Sequence, residues 1–184
     1  MYLTDLSKAE LVELMAAWGE PSFRAEQVYR WLCKGARPEE MTNLPKPLRE
    51  KLSAIPYGGV SVALKRVSER DGTVKYLFRL EDENLVEGVL MRYHYGNTAC
   101  ISTQVGCAMG CRFCASTLNG CVRNLRVGEL LGQIRAIERD EPAKDGAART
   151  VTNIVLMGSG EPLDNYDNVV RFLHEVSDPD GMGV

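Results

Sequence analysis

At 184 residues the chain has room for one domain, or for a large domain with a small appendage. Its 45% apolar content excludes a disordered chain, and no apolar run approaches the ~20 residues that cross a bilayer. A net charge of −3 argues against a general nucleic-acid binder, which wants a basic surface, but leaves room for a local basic patch.

The opening "MYLTDLSKAELVEL" intersperses charge among apolar residues and lacks the continuous apolar segment of a secretory leader. A cytoplasmic location is the expectation. In that reducing setting cysteines favour metal binding, catalysis or burial over disulfides.

The first third reads as short helices. In "SKAELVELMAAWG", Ser7 and Glu10 have capping-box spacing, Leu11, Leu14, Met15 and Trp18 form one stripe, and Gly19 is a stop. "PSFRAEQVYRWLCKG" repeats the plan, with Ser22 as N-cap, Val28, Trp31 and Leu32 on one face, and Gly35 at the end. "LPKPLREKLSAI" predicts a third helix with Pro47 in its first turn. The basic residues Arg24, Lys34, Arg37, Lys46, Arg49 and Lys51 are candidates for a restricted RNA-facing patch; a solvated charged face is the plainer reading.

From Ser61 the period changes to two. Strand-like runs separated by "DG", "DEN" and "YGN" turns predict an antiparallel meander, leading into a strand that ends near Val105. A cysteine-bearing loop follows. "VGELLGQIRAIERD" then places Val127, Leu130, Leu131, Ile134 and Ile137 on one helix face. After a polar loop over 141–149, "TVTNIVLMG" has the β-branched run of a buried parallel strand, and "YDNVVRFLHEVS" resumes a helix after "GSGEPLDN". Strand, loop, helix, strand, loop, helix is the pattern of a parallel α/β sheet. The expected division is 1–57 helical, 58–97 antiparallel β, and 98–184 the first part of an α/β core. Two parallel strands are too few to complete such a core, so the chain is expected to be part of a longer protein.

Four of the six cysteines lie in "CISTQVGCAMGCRFCAS". Cys107, Cys111 and Cys114 are spaced C-x₃-C-x₂-C, with Gly110 allowing a tight turn between the first two. Three thiolates on one loop suit three irons of a 4Fe–4S cube, leaving the fourth open for another ligand. A structural zinc site needs four ligands, and Cys100 or Cys121 could supply one, although zinc modules usually present separated cysteine pairs. Inert burial is the third reading, and the neighbours Gly106, Gly110 and Arg112 do not look like core.

The triple resembles the hallmark of the radical S-adenosylmethionine (SAM) superfamily, and "MGSGEP", one βα unit later, resembles its Gly-Glu-Pro segment. The stretches "TQVGCAMGCRFCASTLNGCVRNLRVGELLGQI", "FRAEQVYRWLCKGARPEEMTNLPKPLREKL" and "LVEGVLMRY" followed by "ACISTQVGC" resemble the bacterial dual-specificity RNA adenine C2-methyltransferases over nearly the whole chain. The resemblance implies a small N-terminal helical domain, an antiparallel β segment and the first part of a (β/α) partial barrel. It implies a 4Fe–4S cluster on Cys107, Cys111 and Cys114, SAM contacted by Gly160 and Glu161, Glu87 as a proton acceptor, and Cys100 as the partner of a methyl-carrying cysteine. Implied partners are 23S ribosomal RNA and transfer RNA, methylated at carbon 2 of an adenosine, and an electron donor that reduces the cluster; no membrane is implied.

In that family the methyl-carrying cysteine lies near the C-terminus, beyond the position where this sequence stops, so these residues alone are expected not to complete methyl transfer. Cys33 and Cys121 do not occupy its place, and Ser159 stands where a bulkier apolar residue is expected. The alternatives are a related methyltransferase acting at carbon 8 and a zinc-stabilised RNA-binding module.

Overall fold

The structure, a computed structural model, describes residues 1–143 and 146–184. Positions 144 and 145 of the expected polar loop lie outside the described residues.

Three helices form the N-terminal unit: α1 (Lys8–Ala17), α2 (Phe23–Cys33) and α3 (Lys46–Ser53). The capping box at α1 forms in full, with Ser7 Oγ accepting from Glu10 N and the Glu10 carboxylate accepting from Ser7 N. Ser22 takes the N-cap position of α2 but its backbone is already helical and its side chain caps nothing. Gly19 and Gly35 end the first two helices at φ +70° and +69°. Leu11, Met15, Val28, Leu32, Leu48 and Leu52 make a core of their own, joined by Leu3 from a 3-10 turn at Leu3–Asp5.

The meander follows as β1 (Ser61–Val67), β2 (Val74–Arg79), β3 (Leu85–Tyr93) and β4 (Gly96–Cys100), each pair antiparallel. The strand expected to run on to Val105 instead stops at Cys100. After a break, β5 (Gln104–Gly106) pairs with β6 (Cys121–Asn124) as a separate hairpin that brackets the cysteine loop. Polar residues Ser102 and Thr103 sit at the break and Gln104 just after it, and their groups bond to Gln133, Ser159 and Glu161 rather than extending the ladder.

Helix α4 (Val127–Asp140), strand β7 (Asn153–Val155) and helix α5 (Tyr166–Ser177) complete the described chain. Strand β7 adds parallel to β4, giving the order β1-β2-β3-β4-β7 in one mixed sheet. It is three residues long and only partly buried, shorter and more exposed than its β-branched sequence suggests, because it is the sheet edge. Tyr76, Phe78, Leu90, Ala99 and Ile101 on one face of the sheet pack with Leu130, Ile134, Ile137 and Phe172 of α4 and α5. Gly88 is required on that face: a Cβ there would lie 2.5 Å from the Phe78 ring, which crosses β3 at this point. No helix among the described residues is long and apolar enough to cross a membrane.

Candidate active site

Side chains alternate across a sheet, so residues paired in register share a face. Val89 pairs with Cys100, and Cys100 with Val155, and this row lies opposite the face that α4 and α5 cover. Glu87 lies two residues from Val89 on the same strand and so on the same face. The helix-free face of the sheet therefore carries both Glu87 and Cys100. The Glu87 carboxylate is exposed and pairs with Lys75 at 2.9 Å. Cys100 is half-buried, and desolvation pushes its thiol pKa up, keeping it protonated at neutral pH.

The three cysteines of the triple lie in the connection between β5 and β6. Cys107 is buried, Cys114 half-buried and Cys111 exposed, and all three are free thiols. Gly106 and Gly110 both have positive φ, +75° and +68°, one on each side of Cys107. At Gly106 a Cβ would lie 2.0 Å from the Gly120 carbonyl oxygen, so the loop closes on itself there, and Cys107 N donates to that same oxygen. Gly110 faces open space. The return from the loop is a 3-10 turn, Ala115–Thr117, with Thr117 Oγ1 donating to the Cys114 carbonyl. Cys121 begins the β6 strand beside Cys107; burial, and then the Cys107 sulfur, push its thiol pKa up.

The "GSGEP" loop after β7 is bonded to both sides of the triple. Thr103 N and Gln104 N donate to the Ser159 carbonyl at 2.8 and 3.2 Å, and Ser159 N donates to Ser102 Oγ at 2.8 Å. Glu161 N donates to Gln104 Oε1 at 2.8 Å. On the far side, the Ser116 and Ser159 hydroxyls are 3.2 Å apart. Gly160, at φ +106°, lies so close to β5 that a Cβ would sit 2.6 Å from Gln104 N. Gly158 is packed as tightly, 2.7 Å from the Ile101 backbone for the same virtual atom. The Glu161 carboxylate accepts from Leu163 N and is only part-buried.

The sequence reading missed the polar girders behind this arrangement. Gln133 of α4 is fully buried, accepts from Ser102 N and donates to Ser102 O, at 2.9 and 3.0 Å. Asn165 is buried and donates to the carbonyls of Thr103 and Leu125. A polar triple, "STQ", at the end of an apolar strand was the available signal. At position 159, where a larger apolar residue is expected, the serine hydroxyl meets that of Ser116.

The donor set fits an iron–sulfur cluster in chemistry: three free thiols on one glycine-hinged loop with open space at its tip. Among the described residues no three His, Cys, Asp or Glu side chains converge as a closed metal site, so the thiols share a loop without being drawn together. Gathering of the ligands would accompany binding, as is usual for metal sites.

Residues 1–57 match the family of the ribosomal RNA large subunit methyltransferase N-terminal domain. The probable dual-specificity RNA methyltransferase RlmN of Alkaliphilus oremlandii is 50% identical over 184 residues, 99% of this chain and 52% of that protein. The protein of the same name from Lachnoclostridium phytofermentans is 52% identical over 187 residues, covering 98% of this chain and 51% of its own length. The crystal structure of a radical SAM methyltransferase from Sphaerobacter thermophilus superposes with a TM-score of 0.87 at 42% identity, covering 99% of this chain and 53% of that one. The chain thus spans about half the length of the curated relatives it matches.

Proposed function

Because this chain is related along its full length to about half of the dual-specificity RNA methyltransferases, we propose that it carries the cofactor-holding part of an RNA adenosine C2-methyltransferase. The substrates in this reading are 23S ribosomal RNA and transfer RNA, the location is cytoplasmic, and a protein or small-molecule electron donor is required. Cys107, Cys111 and Cys114 hold a 4Fe–4S cluster, and Gly160 and Glu161 receive the amino end of SAM. When bound, that pair of cofactors supplies a reactive organic radical. The observation that carries the reading is the hydrogen bonding of the "GSGEP" loop to both sides of the cysteine loop, through Ser102, Gln104 and Ser116.

The residues of the chain have separable tasks. Gly160 has no side chain where the loop presses against β5, which leaves its backbone beside the cysteine loop, and the Glu161 carboxylate offers a charged acceptor for an ammonium. Glu87 is an exposed carboxylate able to take a proton from an adenine held over the helix-free sheet face. Cys100, two pairing positions away on the same face, is placed for thiol exchange with another cysteine rather than for iron. Residues 1–57 act as an accessory RNA-contacting unit. Of the six basic residues proposed for that contact, Lys46 and Lys51 are loosely answered by Glu50 and Glu20 at 3.8 Å, and Lys34 and Arg37 lie over the rings of Trp31 and Tyr57.

Anaerobic reconstitution with iron and sulfide tests the ligand set. The wild-type chain should take up iron and turn brown, Cys111→Ala should lose essentially all of it, and Cys121→Ala should keep it. Equal loss in both variants would show the wrong ligands. A colourless chain holding stoichiometric zinc would replace this reading with the zinc-stabilised RNA-binding module.

A further inference from the structure

A cavity of about 590 Å³ lies away from the cysteine loop, where the helical unit meets α4 and the first two strands. Its walls include Arg37 and Tyr57 from the helical unit and Arg135 and Arg139 from α4. Its size falls within the ~300–1,000 Å³ of small-molecule sites. The small residues Gly128, Gly132 and Ala136 line the same side of α4, and the first two let Thr4 and Val60 pack directly on the helix.

Arg135 is the anomaly. It is only 7% exposed, and its Nε and Nη1 atoms are buried with no hydrogen-bond partner among the described residues. Buried charges are normally paired, and an arginine cannot escape by losing its proton. The acid whose field reaches it, Glu175, accepts a hydrogen bond from Tyr29 instead. Glu175 does not line the cavity, and the acids that do are mostly engaged: Glu83 with Arg79, and Asp140 with Lys65 and Tyr76. Arg139 donates to the Gly35 carbonyl and only loosely meets Glu40, at 3.4 Å. The exposed Arg37 lies over the Tyr57 ring, 5.0 Å from its centroid, with no carboxylate on its guanidinium among the described residues. Glu81, at the exposed rim, is the one lining acid without such a partner. Positive charge therefore exceeds negative among the lining residues, and Arg135, the most buried of the lining arginines, keeps two donor nitrogens without a partner among the described residues.

We propose that this cleft is a phosphate site, in which Arg135, flanked by Arg37 and Arg139, receives a phosphate group of a nucleic-acid strand or of a free nucleotide. Guanidinium groups favour phosphate because their planar donors pair with its oxygens. The phosphate chemistry stands on the cleft alone; its assignment to an RNA backbone rests on the function proposed above. The cleft is built from both the helical unit and α4, so a bound strand would bridge them.

The test uses the 184-residue chain in thermal unfolding, with inorganic phosphate compared against sodium chloride at equal ionic strength. Phosphate should raise the melting temperature in a saturable way. Arg135→Met should lose that rise, while melting no lower than wild type in chloride, since it removes an uncompensated buried charge. Arg37→Gln, at the exposed rim, should weaken phosphate binding by roughly three- to tenfold, as expected for one charge-assisted contact. An oligouridine and adenosine monophosphate then separate the sources. Oligouridine affinity falling at least tenfold in Arg135→Met assigns the site to a strand, whereas binding of the mononucleotide alone assigns it to a free nucleotide. A wild-type chain that binds phosphate but not oligouridine would count against the RNA reading and leave the phosphate site standing. No difference between phosphate and chloride in wild type, or an unchanged phosphate response in Arg135→Met, would overturn the proposal. Should Arg135→Met fail to fold, unchanged phosphate affinity in both Arg37→Gln and Arg139→Gln would overturn it equally.

Discussion

Arg123 joins three parts of the molecule on which the cysteine loop depends. It lies in β6, on the return from the loop, and its Nε donates to Asp82 in the β2–β3 turn at 2.8 Å. Its two terminal nitrogens hold both oxygens of Glu129, a fully buried carboxylate in the first turn of α4, at 2.8 and 2.9 Å. The Glu129 carboxylate holds the guanidinium pKa above its ordinary value, and the Arg123 bond lowers Asp82 to about 2. The folded pKa of Asp82 is thus below the unfolded one, near 3.9. Its contribution to stability is present above the unfolded value and is lost as pH falls through about 2. Asp82→Asn should therefore flatten the acid limb between pH ~4 and ~2, measured as urea midpoint against pH. Parallel profiles for the two proteins would show that the pair contributes nothing. The cysteine spacing and the Gly-Glu-Pro segment were legible in sequence because a local pattern carries them. Arg123, Gln133 and Asn165 were not, because their partners are distant in the chain and only folding brings them together.

Helix α4 shows the same limit at the scale of an element. Its apolar stripe was readable, and Leu130, Leu131, Ile134 and Ile137 are buried as their spacing requires. Its glycines gave no such information. On helix propensity alone, Gly128→Ala should stabilise by about 1 kcal/mol. Here the added Cβ would lie 2.4 Å from Thr4 Oγ1 and 2.6 Å from Asp5 Oδ1, and 2.8 Å from Thr4 backbone. Overpacking of that kind costs about 1–3 kcal/mol, so Gly128→Ala is expected to be net destabilising in chemical denaturation. A stabilised variant would mean that the helical unit does not press on α4 there. The strand boundary near Val105 failed for a related reason: alternation continues through 101–105, but Ser102 and Gln104 bond to the "GSGEP" loop and end the ladder.

At the scale of the molecule, two hydrophobic cores are tied by a few polar contacts. Asp5 is the most connected of these. One oxygen accepts from Gly128 N, capping the start of α4 from outside the helix, and the other pairs with Arg126 at 2.8 Å. Arg171 of α5 donates to the Asp5 carbonyl and pairs with Glu10. Asp5→Ala should cost about 1 kcal/mol, the usual value of a lost cap, and should weaken coupling between the cores. Both tryptophans, Trp18 and Trp31, lie in the helical unit, so their fluorescence reports on it alone. In Asp5→Ala the fluorescence transition in urea should move to lower concentration than the circular-dichroism transition, while the two coincide in wild type. Coincidence in the variant would refute the role of Asp5 as the tie.

The amino-acid sequence by itself determined the element types, the capping box at Ser7, the α/β class and the positions of the three thiols, because each depends on neighbours within a turn or a strand. Only the tertiary structure decided which face of the sheet carries Glu87 and Cys100, how "GSGEP" meets the cysteine loop, and that Arg135 is buried with two nitrogens unpartnered among the described residues. Those facts come from strand register, from glycines that admit backbone contact and from which elements cover which, and no local spacing records them.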